Sequence, residues 1–324
     1  MVSGPGPVGT PRLGDSSMVE LSDGRRVELF FLVGHPKSGT NWLGALVNLH
    51  SEVCCKGEFR FEALRRGFDT LERQWWHAAH AGPAREEAER CFRESVARIM
   101  LASAHDAPRA TRVGDRTPRQ LGDYIPGARH LYILRDPRDV LVSWTFQEVR
   151  EWGVNIAAPV HASAMRPLHE AFKSDPEFFA KHPERLLSHE AWVRFTARRY
   201  VNHVSSDLDL IARANGSEFS AWPHGTGELA MRVHVVRYES LHANLEREFE
   251  GVLRFLGLDP ALSSPPMRET RTLPGFGRED PTSFFRKGEV GDWRRYLVGP
   301  ACAWFKSEAQ GMLERLGIER DAAW

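Results

Sequence analysis

The chain has 324 residues, 42% of them hydrophobic, and its 43 basic and 43 acidic residues balance to a formal net charge of zero. That length and apolar content can bury the core of one large α/β domain. The charge balance argues against broad electrostatic binding to nucleic acid, which needs a basic excess or patch, and no run reaches the ~20 apolar residues of a membrane-spanning helix.

Residues 1–18 are rich in Gly, Pro and Ser and lack an apolar stretch of signal-peptide length, so a disordered tail is expected there, followed by a single domain over residues 19–324. The four cysteines, Cys54, Cys55, Cys91 and Cys302, form no C-x-x-C spacing. Free thiols, a cytoplasmic location and no metal site are the expectation.

Val19 to Val27 reads as a short lead-in strand or hairpin around Ser22-Asp23-Gly24. Leu29 to Val33 is a short apolar run rich in β-formers, which reads as a buried strand. Gly34, Pro36 and Gly39 interrupt it. Thr40 is the expected cap of a helix whose Trp42, Leu43, Leu46, Val47 and Leu49 recur at helical spacing. Strand, glycine-containing loop and helix together make an anion cradle, because amides at a helix N-terminus point outward unpaired and the helix dipole adds positive charge there. Lys37 adds a full charge, and Ser38, Thr40 and Asn41 add donors. The ATP-binding loop requires G-x-x-x-x-G-K-[ST], whereas here Lys37 precedes Ser38 and Gly39.

Val53 to Cys55 reads as a second strand, with Gly57-Glu58 at its C-terminal end, where open α/β sheets bind ligands. A helix is expected over Glu86–Ala104, strands over Thr111–Asp115 and His130–Leu134, and a helix over Asp139–Glu151. This alternation predicts a P-loop-like central parallel β-sheet flanked by helices on both faces. Residues 153–187 show weak periodicity and read as a substrate lid or an inserted helical subdomain. A long helix over Ser188–Ala214, a strand over Met231–Tyr238, a helix over Leu241–Phe255 stopped by Gly257, a Gly/Pro-rich loop over Leu273–Arg286 and a helix over Ala301–Leu316 complete the expected order.

Pro36-Lys37-Ser38-Gly39-Thr40-Asn41-Trp42 resembles the 5′-phosphosulfate loop of sulfotransferases that use 3′-phosphoadenosine 5′-phosphosulfate (PAPS). Three further stretches resemble the same family. Tyr132 to Trp144 is similar to its 3′-phosphate motif, which implies phosphate contacts from Arg135 and Ser143. Arg286-Lys287-Gly288-Glu289-Val290-Gly291-Asp292-Trp293 resembles the R-K-G-x-x-G-D-W signature of its cytosolic members, with two cations and a glycine amide for one phosphate. Tyr238, in Val236-Arg237-Tyr238-Glu239, matches a strand-end tyrosine near the adenine, or is a core aromatic; Trp42 matches the adenine-stacking tryptophan, or packs its helix. The family's dimerisation motif does not follow Trp293.

The resemblance implies PAPS as co-substrate, PAP (adenosine 3′,5′-bisphosphate) as product, no metal, and in-line transfer of a sulfuryl group to an acceptor hydroxyl. Lys37 would stabilise the leaving phosphate. Cytosolic members use a histidine as base in a K-T-H-x-P segment; here Arg116-Thr117-Pro118 stands instead. Glycan and tyrosyl members use a glutamate in a Gly-Glu context, which Lys56-Gly57-Glu58 resembles. Glu58 is therefore the implied base, with Asp115 as the alternative and Arg116 near the sulfuryl oxygens. A glutamate's ordinary pKa of about 4.3 leaves it ionised and able to accept a proton. The lack of that histidine points to a small-molecule, natural-product or carbohydrate hydroxyl, and Trp75-Trp76, Trp144, Phe146, Trp152, Phe178 and Phe179 are candidate pocket aromatics. A P-loop ATP-dependent kinase and a non-catalytic nucleotide-binding protein are the competing readings. His35 is the histidine best placed to matter, because it lies in the anion loop.

Overall fold

The computed structural model describes residues 12–13, 17–21, 24–74, 81–122, 124–152, 159–215, 232–264, 279–321 and 323–324. Most of the N-terminal segment, Trp75-Trp76, residues 153–158 and the first part of the expected Gly/Pro-rich loop lie outside these residues.

The molecule is built on strand β3 (Arg26–Gly34), whose residues from Val27 onward are all buried. A strand buried on both faces needs apolar residues at successive positions. Leu29, Phe31 and Val33 enter one core with Phe92, Val96, Tyr132 and Tyr200, while Phe30 and Leu32 enter another with Trp42, Leu43, Leu131, Ile133 and Phe249. On one side β3 pairs in parallel with β5 (Arg112–Arg116), which pairs with β4 (Val53–Lys56). On the other it pairs in parallel with β6 (Arg129–Leu134), which pairs with β7 (Arg232–Arg237). The short strands β1 (Arg12–Leu13) and β2 (Met18–Glu20) add an antiparallel extension along the first residues of β3, in keeping with the lead-in hairpin. The five parallel strands therefore end at one edge, and the segments that follow β3, β4, β5, β6 and β7 meet there.

The helices are α1 (Thr40–Val47), α2 (Glu62–Gln74), α3 (Ala81–Ser103), α4 (Pro137–Arg150), α5 (Pro159–Ser174), α6 (Phe178–Lys181), α7 (Glu190–Asn215), α8 (Tyr238–Ala243), α9 (Leu245–Phe255), α10 (Trp293–Tyr296) and α11 (Pro300–Arg315). Several differ from the sequence expectation. Thr40 does not cap α1: the cap position is Gly39, at φ 104°, and Thr40 is the first helical residue. The chain must turn sharply from β3 into α1, and glycine reaches that left-handed conformation without a Cβ penalty. The helix expected over Leu241–Phe255 is two helices separated by Asn244, at φ −136° and ψ 57°. α2 went unread, although Leu64 and Phe68 at i, i+4 pack against the first core.

The 153–187 connection is helical where described. Met165, Leu168, Phe172 and Phe179 form a third core with Leu141, Trp192, Phe305 and Leu313. None of its described residues lines the cleft at the sheet edge. Of the candidate pocket aromatics, Phe146 lines the cleft, whereas Trp144 and Phe179 are buried in this third core and Trp152 and Phe178 pack against it.

Gly34 at the end of β3 shows how closely that edge is packed. A Cβ there would meet the Ile133 carbonyl oxygen at 2.4 Å, a backbone atom held in the β3–β6 pairing. Gly34→Ala is expected to destabilise the fold by about 1–3 kcal/mol, read as a lowered midpoint of chemical denaturation against wild type.

Candidate active site

At the C-terminal edge of the sheet lies a cleft of about 310 Å³. The loop between β3 and α1 forms one wall, with Lys37, Gly39, Thr40, Asn41 and Trp42 facing the cleft. Arg135 and Ser143 enter from the β6–α4 segment, Tyr238 from the end of β7, Arg286, Lys287 and Gly288 from the last loop, and Glu58 from the end of β4. Residues about 250 positions apart in the chain thus meet at one site.

The loop is held from several sides. Lys37 has a φ of 72°, a left-handed conformation unusual for a residue with a side chain. Arg135 donates to the Lys37 carbonyl at 3.2 Å and to the Glu289 carbonyl at 3.1 Å, bridging the first and last loops. The Arg135 guanidinium lies 4.2 Å from the centre of the Tyr238 ring, and the Tyr238 hydroxyl donates to the Gly288 carbonyl at 2.9 Å. A Cβ on Gly39 would fall 2.7 Å from the Tyr238 ring, so only glycine lets the loop pass over it. Trp42 is buried and packs edge-on against Tyr238 with ring centres 5.2 Å apart. Both aromatics border the cleft, so the packing and the binding roles open to them are compatible.

Charge is concentrated here. Burial, with Arg150 and Arg135 nearby, lowers the Lys37 ammonium to about 7, against the opposing pull of Glu151 and Glu148. Its Nζ lies 4.0 Å from the centre of the Phe284 ring. Arg286 pairs with Glu279 and Asp292, and Lys287 lies 2.9 Å from Asp292 and 2.9 Å from Glu289. Burial opposes ionisation of Asp292, yet Arg286 and Lys287 hold its carboxyl below the usual range. The basic pair is thus already matched by carboxylates. Ser38 is buried and does not line the cleft, and its hydroxyl has no hydrogen-bond partner among the described residues. The Nε of Arg135 is likewise buried and unpartnered. Arg135 lines the cleft, so its donor left without an acceptor fits an anion there.

The two candidate bases are placed differently. Glu58 lines the cleft and pairs with Arg60 at 2.7 Å. Asp115 is fully buried and does not line it. Its Oδ1 accepts from the Thr117 hydroxyl at 2.8 Å and from the Phe59 amide at 3.4 Å, and Arg119 lies 3.6 Å from Oδ2. Burial raises its pKa, and Asp115 ties the β4 and β5 ends together. Arg116 is also absent from the cleft wall: a Cβ on Gly44 would lie 2.6 Å from Arg116 Cδ, so its stem packs on α1.

Several cleft residues were not read from the sequence. Arg150 donates to the Ser283 carbonyl at 2.9 Å, holding the last loop, and Arg199 lies over the Trp144 ring at 4.4 Å. Burial lowers the pKa of both guanidinium groups. Asp139 is more consequential. Instead of pairing with Arg135 at the surface, it is buried and accepts from the Gly291 and Trp293 amides at 2.7 and 3.0 Å. It therefore fixes the last loop to α4. The Gly-Asp-Trp sequence supplies a hint only in hindsight, because its partner lies 152 positions away.

A strand–loop–helix anion cradle, cations from a remote loop and a carboxylate at the neighbouring strand end thus line one cleft on a P-loop-like sheet, an arrangement suited to a multiply charged anion. A family described as "Sulfotransferase family" matches residues 30–187, and one described as "Sulfotransferase domain" matches residues 220–299. The chain belongs to the sulfotransferase family. It is 27% identical to protein-tyrosine sulfotransferase A of Caenorhabditis elegans over 147 residues, covering 43% of this chain and 39% of that protein. It is 24% identical to a protein-tyrosine sulfotransferase of Drosophila melanogaster over 280 residues, covering 78% and 56%. The chain thus spans roughly half the length of these relatives or less. Among solved structures, a mouse sulfotransferase complexed with PAP aligns at 17% identity and a TM-score of 0.45, covering 88% of this chain and 84% of that one.

Removing the Asp139 carboxylate leaves two buried amides without acceptors. Asp139→Ala is expected to cost about 2–4 kcal/mol, with the loss measured by thermal or chemical unfolding. Asp139→Asn, which keeps one acceptor, should lose less.

Proposed function

We propose that the protein transfers a sulfuryl group from PAPS to an acceptor hydroxyl and releases PAP. The observation that carries this reading is the meeting of the Lys37 loop with Arg286, Lys287 and Gly288 in one cleft. When bound, PAPS supplies the sulfuryl group and a bisphosphate leaving group. The unpartnered Arg135 Nε and the desolvated Lys37, both on residues that line the cleft, fit such an anion.

In this reading the Lys37 ammonium holds the oxygen on which negative charge develops, in a site where burial strengthens the interaction. Ser38, Thr40, Asn41 and the α1 amides hold phosphate oxygens. Arg135, Ser143, Arg286, Lys287 and Gly288 hold the second phosphate. Trp42 and Tyr238 offer apolar surface to the base. Glu58 accepts the proton of the acceptor hydroxyl. It must first exchange its pairing with Arg60, an ion pair whose arginine is largely solvent-exposed and therefore weakly held.

For the acceptor, the proposal is a small-molecule or glycan hydroxyl, supported by Arg116-Thr117-Pro118 where cytosolic members carry a histidine base. Protein tyrosine is the second reading, favoured by the likeness to the worm and fly proteins. Paired assays with sugar alcohols and with tyrosine peptides separate the two.

Thermal unfolding tests the nucleotide. PAP at ~100 times its dissociation constant should stabilise wild type by about 2.7 kcal/mol, and Arg286→Ala combined with Lys287→Ala should lose most of that shift. A shift with ATP and none with PAP would favour a kinase. Glu58→Gln should retain the PAP shift while kcat falls ~10²–10⁴-fold, which also distinguishes an enzyme from a protein that only binds.

The depressed Lys37 pKa sets a pH dependence. Below about 7 the ammonium is charged before any ligand arrives. Above it, anion binding must take up a proton, so affinity falls as pH rises, by up to ~10-fold per unit. Calorimetric titration with PAP between pH 6.5 and 8.5 should show this decline in wild type and little of it in Lys37→Arg.

A further inference from the structure

His35 is the first residue of the anion loop, yet it does not line the cleft. Its ring is buried, and Nδ1 lies 2.8 Å from the Pro36 carbonyl oxygen, a distance that makes Nδ1–H the donor. That carbonyl belongs to the peptide leading into Lys37. The orientation of this peptide plane governs the Lys37 φ, which is held at 72°. A side-chain-bearing residue keeps such a conformation only where its surroundings over-determine it. Arg135 holds the peptide on the far side of Lys37 through the Lys37 carbonyl.

The ring is wedged between two helices. Trp144 of α4 lies 5.3 Å away by ring centres, and Tyr200 and His203 of α7 each lie 4.9 Å away. Asp207 lies beside His203, with 3.1 Å between Nε2 and Oδ2 but no hydrogen bond formed between them, and its Oδ1 accepts from the Leu121 amide at 2.9 Å. The Tyr200 hydroxyl donates to the Arg135 carbonyl at 2.6 Å, so α7 braces both phosphate-facing segments. With Nδ1–H committed to Pro36, Nε2 is buried with no partner among the described residues.

We propose that His35 is a positioning residue for anion binding: its neutral imidazole, backed by His203 and Asp207, fixes the peptide that sets the Lys37 backbone. The proposal deepens the sulfotransferase reading by naming what shapes its loop. A proton on Nε2 would place a charge in a site where no acceptor waits. The groups around it are Trp144 on α4, whose indole is bonded to Glu148; Arg199, Tyr200, His203 and Asp207 on α7; and Tyr132 on β6, near Asp207. Burial, then His203 and Arg199, hold the His35 pKa well below its ordinary value, outweighing the Pro36 carbonyl. The cation therefore costs loop geometry when acid forces it.

The test uses the full chain and two probes, PAP and inorganic sulfate, the latter reporting on the loop without assuming a nucleotide. His35→Leu removes the donor; His35→Asn restores one at the Nδ1 position. His35→Leu should weaken both probes at least 10-fold while kcat at saturating substrate changes less, and His35→Asn should recover most of the affinity. Sulfate stays a dianion in mild acid, so its affinity in wild type should hold through the ordinary histidine value of about 6.5 and fall only well below it, and His35→Asn should lack that acid limb. If His35→Leu does not fold, His203→Leu, at a partly exposed ring, should weaken sulfate with the ligand-free melt retained. Wild-type affinities in His35→Leu, or in His203→Leu where that variant stands in for it, would overturn the proposal, as would an acid limb that persists in His35→Asn. Sulfate binding without PAP binding in wild type would sink the nucleotide reading alone. Binding of neither would sink both.

Discussion

The structure depends on presenting one cation, Lys37, in a place where solvent does little to stabilise it. Its backbone is left-handed and its ammonium is lowered to about 7. Both conditions are unfavourable in isolation, and each requires an external restraint. The restraints come from three directions: the end of β3 through His35, the end of β6 through Arg135, and the last loop through Phe284. A cation kept short of water is one that an incoming anion satisfies strongly, because the interaction replaces little hydration.

This places unusual demands on distant parts of the chain. The last loop cannot be positioned by its own neighbours in sequence, so α4 positions it: Asp139 takes the Gly291 and Trp293 amides, Arg150 the Ser283 carbonyl, and Arg135 the Glu289 carbonyl. All three side chains leave α4 or the residues just before it. Helix α4 is in turn packed against α7 through Trp192 and Thr145, joined by a hydrogen bond of 2.9 Å. The cleft-lining groups therefore stand on a packed pair of helices in place of loop contacts alone.

How much of this is legible in the sequence follows from the range of each interaction. The β3–loop–α1 unit is local, and its apolar run, glycines and helical periodicity sit within about twenty residues, so the sequence carries it. The basic Arg286-Lys287 pair is legible as a motif for the same reason. The helix cap was misread because Thr40 and Gly39 both suit a helix start, and only the turn angle decides between them. Asp139 has the spacing of a surface partner for Arg135, and nothing local says that its real partners lie beyond position 290. Asp115 and Arg116 are the last residues of β5, a place where site residues are common, yet the Arg116 stem turns onto α1 and the Asp115 carboxylate turns inward to Thr117. Side-chain direction at a strand end is a tertiary property, and the pattern of residue types does not contain it.

The prepaired state of Arg286 and Lys287 has a consequence for how a ligand enters. Three carboxylates, from Glu279, Asp292 and Glu289, already occupy these cations. A ligand phosphate does not displace a cloud of mobile salt ions there, as it does on an open basic surface; it must outcompete groups built into the protein. Such an exchange rejects monovalent anions, which bring too little charge and too few acceptor oxygens to win it. It also makes the gain on binding less sensitive to ionic strength than the number of cations suggests. In the proposed reading the acidic residues beside the basic pair thus set a threshold that favours a ligand with several charged oxygens.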